Sequence, residues 1–208
     1  MTETRYRIID PFLLSPRDGY KILVSSVVPR PIAWISTRGK DGSINLAPYS
    51  FFNAVGGNPP TVIFSAGNRR GSLKDTVRNI AETGEFVIHI VNRPLAEKMN
   101  ITSGDYSYGV SEFEKAGLGL ASSELVSVPR VAEAPIAMEA KLLKLIDVPE
   151  AGYTLVLGRI VLFHVREGLM RSNGTVDPVK LDPIARLGAD EYMEAGKIFE
   201  MARPSVAG

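Results

Sequence analysis

Cysteine is absent from this chain of 208 residues. Disulfide scaffolds, zinc ribbons, iron–sulfur clusters and cysteine nucleophiles are excluded at once. Histidine occurs only as His89 and His164, too few for a multi-histidine metal centre, and no metal site is expected. No apolar run approaches the roughly 18 residues needed to span a bilayer. The opening MTETRYRIID is charged and lacks the apolar core of a signal peptide. A large charge of one sign is missing too: the net charge is +1, which argues against nucleic acid as the main ligand. A soluble cytoplasmic protein is expected, with neither a membrane nor a nucleic acid as partner.

The neutrality is a balance of unlike halves. Residues 1–104 carry 13 Lys and Arg against 8 Asp and Glu, and residues 105–208 carry 11 against 15, so +5 and −4. A modest basic bias in the first half suits a small anionic ligand.

Hydrophobic residues form 45% of the chain, enough for a substantial core. After an apolar stretch at Lys21–Val28, Pro29-Arg30-Pro31 punctuates the chain. Ile32–Thr37 is β-branched and aromatic and reads as a strand. A turn cluster containing Asp41-Gly42 leads to a second strand, Ser43–Phe52, broken by Pro48. Proline inside a strand marks an edge, a bulge or a kink, where backbone groups come free beside the aromatic faces of Trp34, Phe51 and Phe52. Thr61–Ala66 and Glu85–Asn92 read as further strands, and Ala137–Val148 with Thr154–Val165 as a long hairpin. Short helices are expected at Leu95–Ile101 and Ser111–Ala116, and loop plus helix over Asp182–Phe199. Six or seven hairpin-connected strands favour an antiparallel barrel over a doubly wound sheet.

Between two of these strands lies a basic glycine loop, Gly67-Asn68-Arg69-Arg70-Gly71. Ser72 follows as an N-cap with Asp75 at the capping-box position, and Leu73, Val77, Ile80 and Ala81 share one helical face. A helix N-terminus offers free N–H groups and the positive end of its dipole. Ser65, Arg69, Arg70, Ser72, Lys74 and Thr76 add donors suited to a phosphate monoester; the alternative is a plain cap beside a solvated basic face. Walker A spacing is missing, and Gly117-Leu118-Gly119 lacks the third glycine of a dinucleotide fingerprint. No Gly-x-Ser-x-Gly elbow exists, so hydrolytic nucleophile chemistry is disfavoured.

Pro29-Arg30-Pro31-Ile32-Ala33-Trp34-Ile35-Ser36-Thr37, then Asn45-Leu46-Ala47-Pro48-Tyr49-Ser50-Phe51-Phe52-Asn53, closely resemble the flavin reductase-like family of FMN-binding split β-barrels. Lys74-Asp75-Thr76, Glu85-Phe86-Val87, Pro129-Arg130-Val131, Ala137-Met138-Glu139 and Ala185-Arg186-Leu187-Gly188 continue the pattern in family order, from about residue 20 to about 195. The resemblance is to the flavoredoxin-like branch. It implies a mainly β fold, an antiparallel split β-barrel with short flanking helices. It implies one FMN-binding domain over 1–208, with its core at about 20–170 and a tail, 171–208, packed on the barrel or a partner subunit. A homodimer with FMN at the interface is implied, often reduced by NADH or NADPH.

Carried over by motif, Trp34, Ser36, Thr37, Ala47, Pro48, Ser50, Phe51 and Asn53 would hold the isoalloxazine ring, in part through backbone N–H groups near Ala47 and Ser50. Ser65, Arg69, Lys74, Asp75 and Thr76 would hold the phosphate. Arg30, His164 and Arg186 would neighbour the nicotinamide or acceptor. No residue is expected to do acid–base work on hydride transfer, since the flavin carries the electrons. The implied activity is NAD(P)H-dependent flavin reduction, with electrons passing to free flavin, a partner oxygenase or a small acceptor. The alternative is a non-enzymatic FMN electron carrier reduced by another protein, and a third reading is a barrel binding haem or a pyridoxal phosphate relative.

Overall fold

The computed structural model describes residues 4–68 and 73–205. Helix α1 (Pro16–Ser26) precedes β1 (Arg30–Pro31), β2 (Ala33–Arg38), β3 (Ile44–Tyr49), β4 (Phe52–Gly57) and β5 (Pro60–Gly67). Helix α2 (Asp75–Thr83) leads to β6 (Glu85–Ile90), and α3 (Ala96–Ile101) and α4 (Glu112–Lys115) follow. Then come β7 (Leu120–Ala121), β8 (Arg130–Val131), β9 (Ile136–Val148), β10 (Tyr153–Val165), α5 (Pro178–Leu181), β11 (Ile184–Arg186) and β12 (Tyr192–Glu194). Seven strands form one antiparallel sheet in the order β3-β2-β6-β9-β10-β5-β4, which curls until β3 packs against β5.

Strand β2 reads as unbroken apolar sequence because both of its faces are covered. Ala33 and Ile35 point into the barrel with Phe64, Val77, Ile80, Phe86 and Ile88. Trp34 points the other way, into a second core with Leu46, Leu95, Met99 and Phe113, most of it from the α3 and α4 region. Inside the barrel, the close approach of β10 to β6 requires glycine at 158, because a Cβ there would lie 2.3 Å from Phe86 Cζ.

Three sequence expectations are corrected. Ser43–Phe52 is two strands, since Pro48 ends pairing with β2 soon after and Phe52–Gly57 turns away to pair β5. The tail holds strands where a helix was expected: β11 pairs both β1 and β12, so the Pro-Arg-Pro punctuation is itself a short strand. Helix α1 goes unpredicted because most of its surface is exposed and only Val24 is buried. Capped by Ser15, it has Pro at its first turn, the ordinary signature of a helix start.

His89 is fully buried beside Trp34 of the second core. Its Nδ1 lies 2.8 Å from the Trp34 carbonyl and its Nε2 accepts the Val131 N–H at 3.0 Å. That pair fixes a neutral tautomer with the proton on Nδ1. Burial pushes its pKa down from 6.5 to about 4. Between those values the unfolded chain takes up a proton that the folded imidazole refuses, so stability falls as pH drops through the window. We expect the stability difference between the wild type and His89→Gln to shrink from pH 7 to pH 4, measured by urea unfolding. A difference constant over that range would refute the assignment.

Candidate functional site

Strand β3 is the edge of the large sheet, paired only with β2. Its Leu46 N–H points away from β2 and donates to Glu112 Oε2 at 2.9 Å. Antiparallel alternation then directs Ile44 and Pro48 outward with Leu46, and Asn45, Ala47 and Tyr49 into the ladder. Proline at 48 therefore removes an N–H that would have had no partner in the sheet. Alternation likewise directs the Ala47 N–H to β2, so an expected backbone donor near Ala47 would be a neighbouring N–H and not that of Ala47 itself.

A cleft of about 760 Å³ runs along this edge. One wall is Asn45, Ala47, Pro48 and Tyr49; another is Lys74, Asp75, Thr76 and Arg78 at the start of α2. The segment 102–108 and Glu112 face them. Helix α2 begins at Asp75, and its N-cap Lys74 makes no side-chain cap. Among the described residues, no side chain caps its first N–H groups, which open toward the cleft. The helix buries Thr76, Val77, Asn79 and Ile80, while Leu73 and Ala81, expected on that face, are exposed. Gly84, in the left-handed conformation at φ 73°, closes the helix.

Electrostatics along the cleft are graded. Asp75 is paired with Arg78 at 2.7 Å, and the Arg78 guanidinium lies over the Tyr108 ring at 4.0 Å. Tyr108 in turn donates to Asp41 Oδ2 at 2.8 Å. The Ser43 hydroxyl and N–H, with Tyr108, hold the Asp41 pKa down to about 2. Lys74 lies over the Tyr49 ring at 5.5 Å and makes no ion pair among the described residues. The Thr76 hydroxyl accepts from Asn45 Nδ2 at 2.8 Å. The Tyr49 hydroxyl is buried and makes no well-formed hydrogen bond among the described residues, and burial pushes its pKa up while the neighbouring Thr76 hydroxyl opposes that shift. Burial likewise raises Glu112, while the Leu46 N–H opposes that shift.

A second chamber of about 330 Å³ adjoins the first and shares Tyr20, Pro48, Ser103 and Arg186 with it. Ser50, Arg30 and Lys21 line it. Arg30 is 6% exposed and acts as a strut. Its guanidinium donates to the carbonyls of Val24 at 2.5 Å, Val27 at 2.8 Å and Leu187 at 2.8 Å. It ties the end of α1 to the loop after β11.

The structure thus gathers Ala47, Pro48, Lys74, Asp75 and Thr76 in one cleft and Ser50, Arg30 and Arg186 in the chamber beside it. Arg69 and Ser72, with Arg70 and Gly71, lie outside the described residues. Several expected residues are elsewhere. Trp34 is fully buried, with Nε1 donating to Thr102 Oγ1 at 2.9 Å, so its ring is core and lines neither cavity. Ser36 donates to the Pro129 carbonyl at 2.7 Å and Thr37 accepts from Asn79 at 3.0 Å, both fully buried. Phe51 stacks on Tyr153 at 5.6 Å, and its carbonyl accepts the Ser65 N–H at 2.8 Å. Asn53 is exposed on β4 and accepts from the Ala54 N–H. His164 does not join Arg30 and Arg186. Its Nε2 lies 2.5 Å from Glu139, a fully buried carboxylate that also accepts the N–H groups of Glu124, Leu125 and Val126. That role is structural, because a buried carboxylate without such partners is costly.

Glu112, Tyr108 and Tyr20 are cleft residues that sequence reasoning missed; nothing near them in the chain marks them. Asn45 stands within the quoted motif and carries the signal its neighbours carry. Among the described residues, no cluster of His, Asp or Glu could hold a metal ion, and no helix is long and apolar enough to cross a membrane.

A curled antiparallel sheet with a cleft along its edge strand is the split β-barrel architecture, and solved structures share it. The chain belongs to the flavin reductase-like domain family, whose model matches residues 24–180. It is similar to nitrilotriacetate monooxygenase component B from Bacillus cereus, with 38% identity, a TM-score of 0.91 and coverage of 96% of this chain and 100% of that one. It is also similar to the 2-nitrobenzoate 2-nitroreductase NbaA of Pseudomonas fluorescens, with 34% identity, a TM-score of 0.85 and coverage of 95% and 96%. Flavoredoxin of Desulfovibrio vulgaris (Miyazaki F) matches at 28% identity and a TM-score of 0.74 over 85% and 92%.

Removing the Glu112 carboxylate strands the Leu46 N–H on the cleft edge. We expect Glu112→Ala to lose about 1–3 kcal/mol and Glu112→Gln, which keeps an acceptor oxygen, to recover most of it, measured by urea unfolding. Equal losses in the two variants would refute this role.

Proposed function

We propose that the cleft beside β3 binds FMN and that the protein is an NAD(P)H-dependent flavin reductase or related oxidoreductase. The observation that carries the reading is the N-terminus of α2, which opens into the cleft with no side-chain cap among the described residues, beside Lys74, a cation with no carboxylate partner among them. A helix start beside an unpaired ammonium suits a phosphate monoester. The rest of the cleft fits the remainder of the nucleotide. The Tyr49 hydroxyl and the outward carbonyls of β3 supply polar contacts, and the aromatic rings of Tyr20, Tyr106 and Tyr108 supply apolar faces.

Bound flavin would supply the electron-carrying chemistry. The chain's own residues bind, orient and shield. Lys74 and the first turn of α2 hold the anionic end. The Arg78–Tyr108–Asp41 chain ties the helix, the 103–108 segment and the β2–β3 turn into one wall. Glu112 keeps the edge of β3 in place. No side chain in the cleft is assigned proton transfer. Component B of an oxygenase and a nitroreductase among the similar structures support electron delivery to a partner oxygenase, to free flavin or to a small acceptor. The flavoredoxin likeness supports a second reading, an FMN electron carrier reduced by another protein. A homodimer with its flavin sites at the subunit interface accords with the exposed apolar side chains of α1 (Ile22, Leu23) and of β4 (Val55).

Two experiments test this. The purified protein, loaded with FMN, should lose its flavin absorbance within seconds of anaerobic addition of NADH or NADPH. Bands that persist would favour the carrier, and failure to retain or bind FMN would sink both readings. Separately, Lys74→Ala should weaken FMN by on the order of 1.5–3 kcal/mol and leave riboflavin, which lacks the phosphate, nearly unchanged. An equal loss for both ligands, by fluorescence titration, would overturn the phosphate assignment.

A further inference from the structure

The smaller chamber has a composition that the flavin reading does not use. Three cations line it, Lys21, Arg30 and Arg186, and no Asp or Glu does. Two of the cations are guanidiniums on adjacent paired strands, Arg30 opposite Arg186. Arg30 has its donors turned to backbone carbonyls, so it offers fixed positive charge but little hydrogen bonding. Burial lowers its pKa, with Tyr20 opposing that shift and the Arg186 charge adding to it. The nearest acid to Arg186 is Asp190, at 3.8 Å and fully exposed, and Lys21 reaches Asp18 at 3.2 Å out in solvent.

Arg186 differs from Arg30 in having capacity left. Its guanidinium lies on the face of Tyr192 at 4.5 Å and donates to the Tyr192 hydroxyl and the Ala189 carbonyl, using two of its five N–H groups. A guanidinium held flat on a ring presents a rigid donor edge matched to a carboxylate. The other walls are apolar or aromatic: Val24, Ile32, Met99 and the rings of Tyr20 and Tyr192. At about 330 Å³ the chamber stands at the small end of ligand sites, which run from ~300 to ~1,000 Å³. It suits a single ring with its substituents and is too small for a dinucleotide.

We propose that this chamber is the docking site of a small planar organic anion, of the class of a single-ring aromatic carboxylate, with its carboxylate on Arg186 and its ring between the tyrosine and aliphatic walls. As an acceptor site beside the redox centre it rests on the flavin reading above; as a binding site it stands on its own lining. The position of Arg186 on the wall shared with the larger cleft places such a ligand at the mouth of that cleft rather than at its anionic end near Lys74.

The test uses FMN-loaded protein, with FMN retention established first by fluorescence, which decides the flavin reading separately. Benzoate and its neutral isostere benzamide are then titrated calorimetrically at low and high salt. Benzoate should bind at least tenfold tighter than benzamide at low salt, lose that advantage at high salt, and leave FMN in place. Arg186→Gln should abolish the preference without changing benzamide affinity, and Lys21→Gln should reduce it less. Equal binding of the two probes, absence of saturable benzoate binding, or displacement of FMN by benzoate would each overturn the proposal. Should Arg186→Gln fail to fold, the salt dependence of the benzoate preference in the unmodified protein decides the matter: a preference that persists at high salt overturns the proposal.

Discussion

The cleft depends on how one exposed strand edge is satisfied. An edge strand presents a row of unpaired backbone groups that invites pairing with another chain. On β3 the problem is handled at two neighbouring outward positions. Glu112 covers the Leu46 N–H from across the cleft, and position 48 is a proline that has no N–H to cover. What remains toward the cleft is acceptor rather than donor. A strand completed in the ordinary way, by another strand, would have closed the space where a ligand can lie. The edge stays open, and the loop carrying α4 reaches over it only far enough to place one carboxylate.

That arrangement explains why charge is sorted along the cleft. At one end, Asp75 is neutralised by Arg78, and among the described residues no side chain caps the start of α2 beside Lys74. At the other, Arg30 and Arg186 face each other with no carboxylate in the chamber wall. The buried Glu112 lies between, its charge disfavoured by burial. Its hydrogen bond to the Leu46 N–H gives this carboxylate a structural duty on the edge of the cleft. Arg30 likewise combines two duties: its charge reaches the chamber while its hydrogen bonds hold α1, β1 and the loop after β11 in register.

Much of the fold is legible in the chain. Ile32–Thr37, Thr61–Ala66 and Glu85–Asn92 read as strands because β-branched residues line faces buried on one or both sides, and the long hairpin is marked by its Pro-Glu-Ala-Gly turn. Pro48 reads as an edge or kink, and both meanings hold: it lies at the outward face of an edge strand, and pairing shifts to β5 just beyond. The cleft is legible only in part. Lys74, Asp75 and Thr76 follow from the signals of a helix start. Trp34 and His164 show the limit. Each is an unusual residue in a strand, and a strand's sequence does not say which of its two faces meets a ligand. Trp34 lies in the outer core and His164 against a buried carboxylate.

The sequence alone therefore determined the class of fold, through alternation, turn residues and the position of one proline, because those are local preferences of backbone and side chain. It also excluded cysteine-based and multi-histidine centres, since the chain holds no cysteine and two histidines. Tertiary structure decided which residues share a cavity. Leu46 and Glu112 are 66 residues apart, and Arg30 and Leu187 are 157 apart. Their meeting is set by how the sheet curls and where the tail strands pair, which no local pattern encodes.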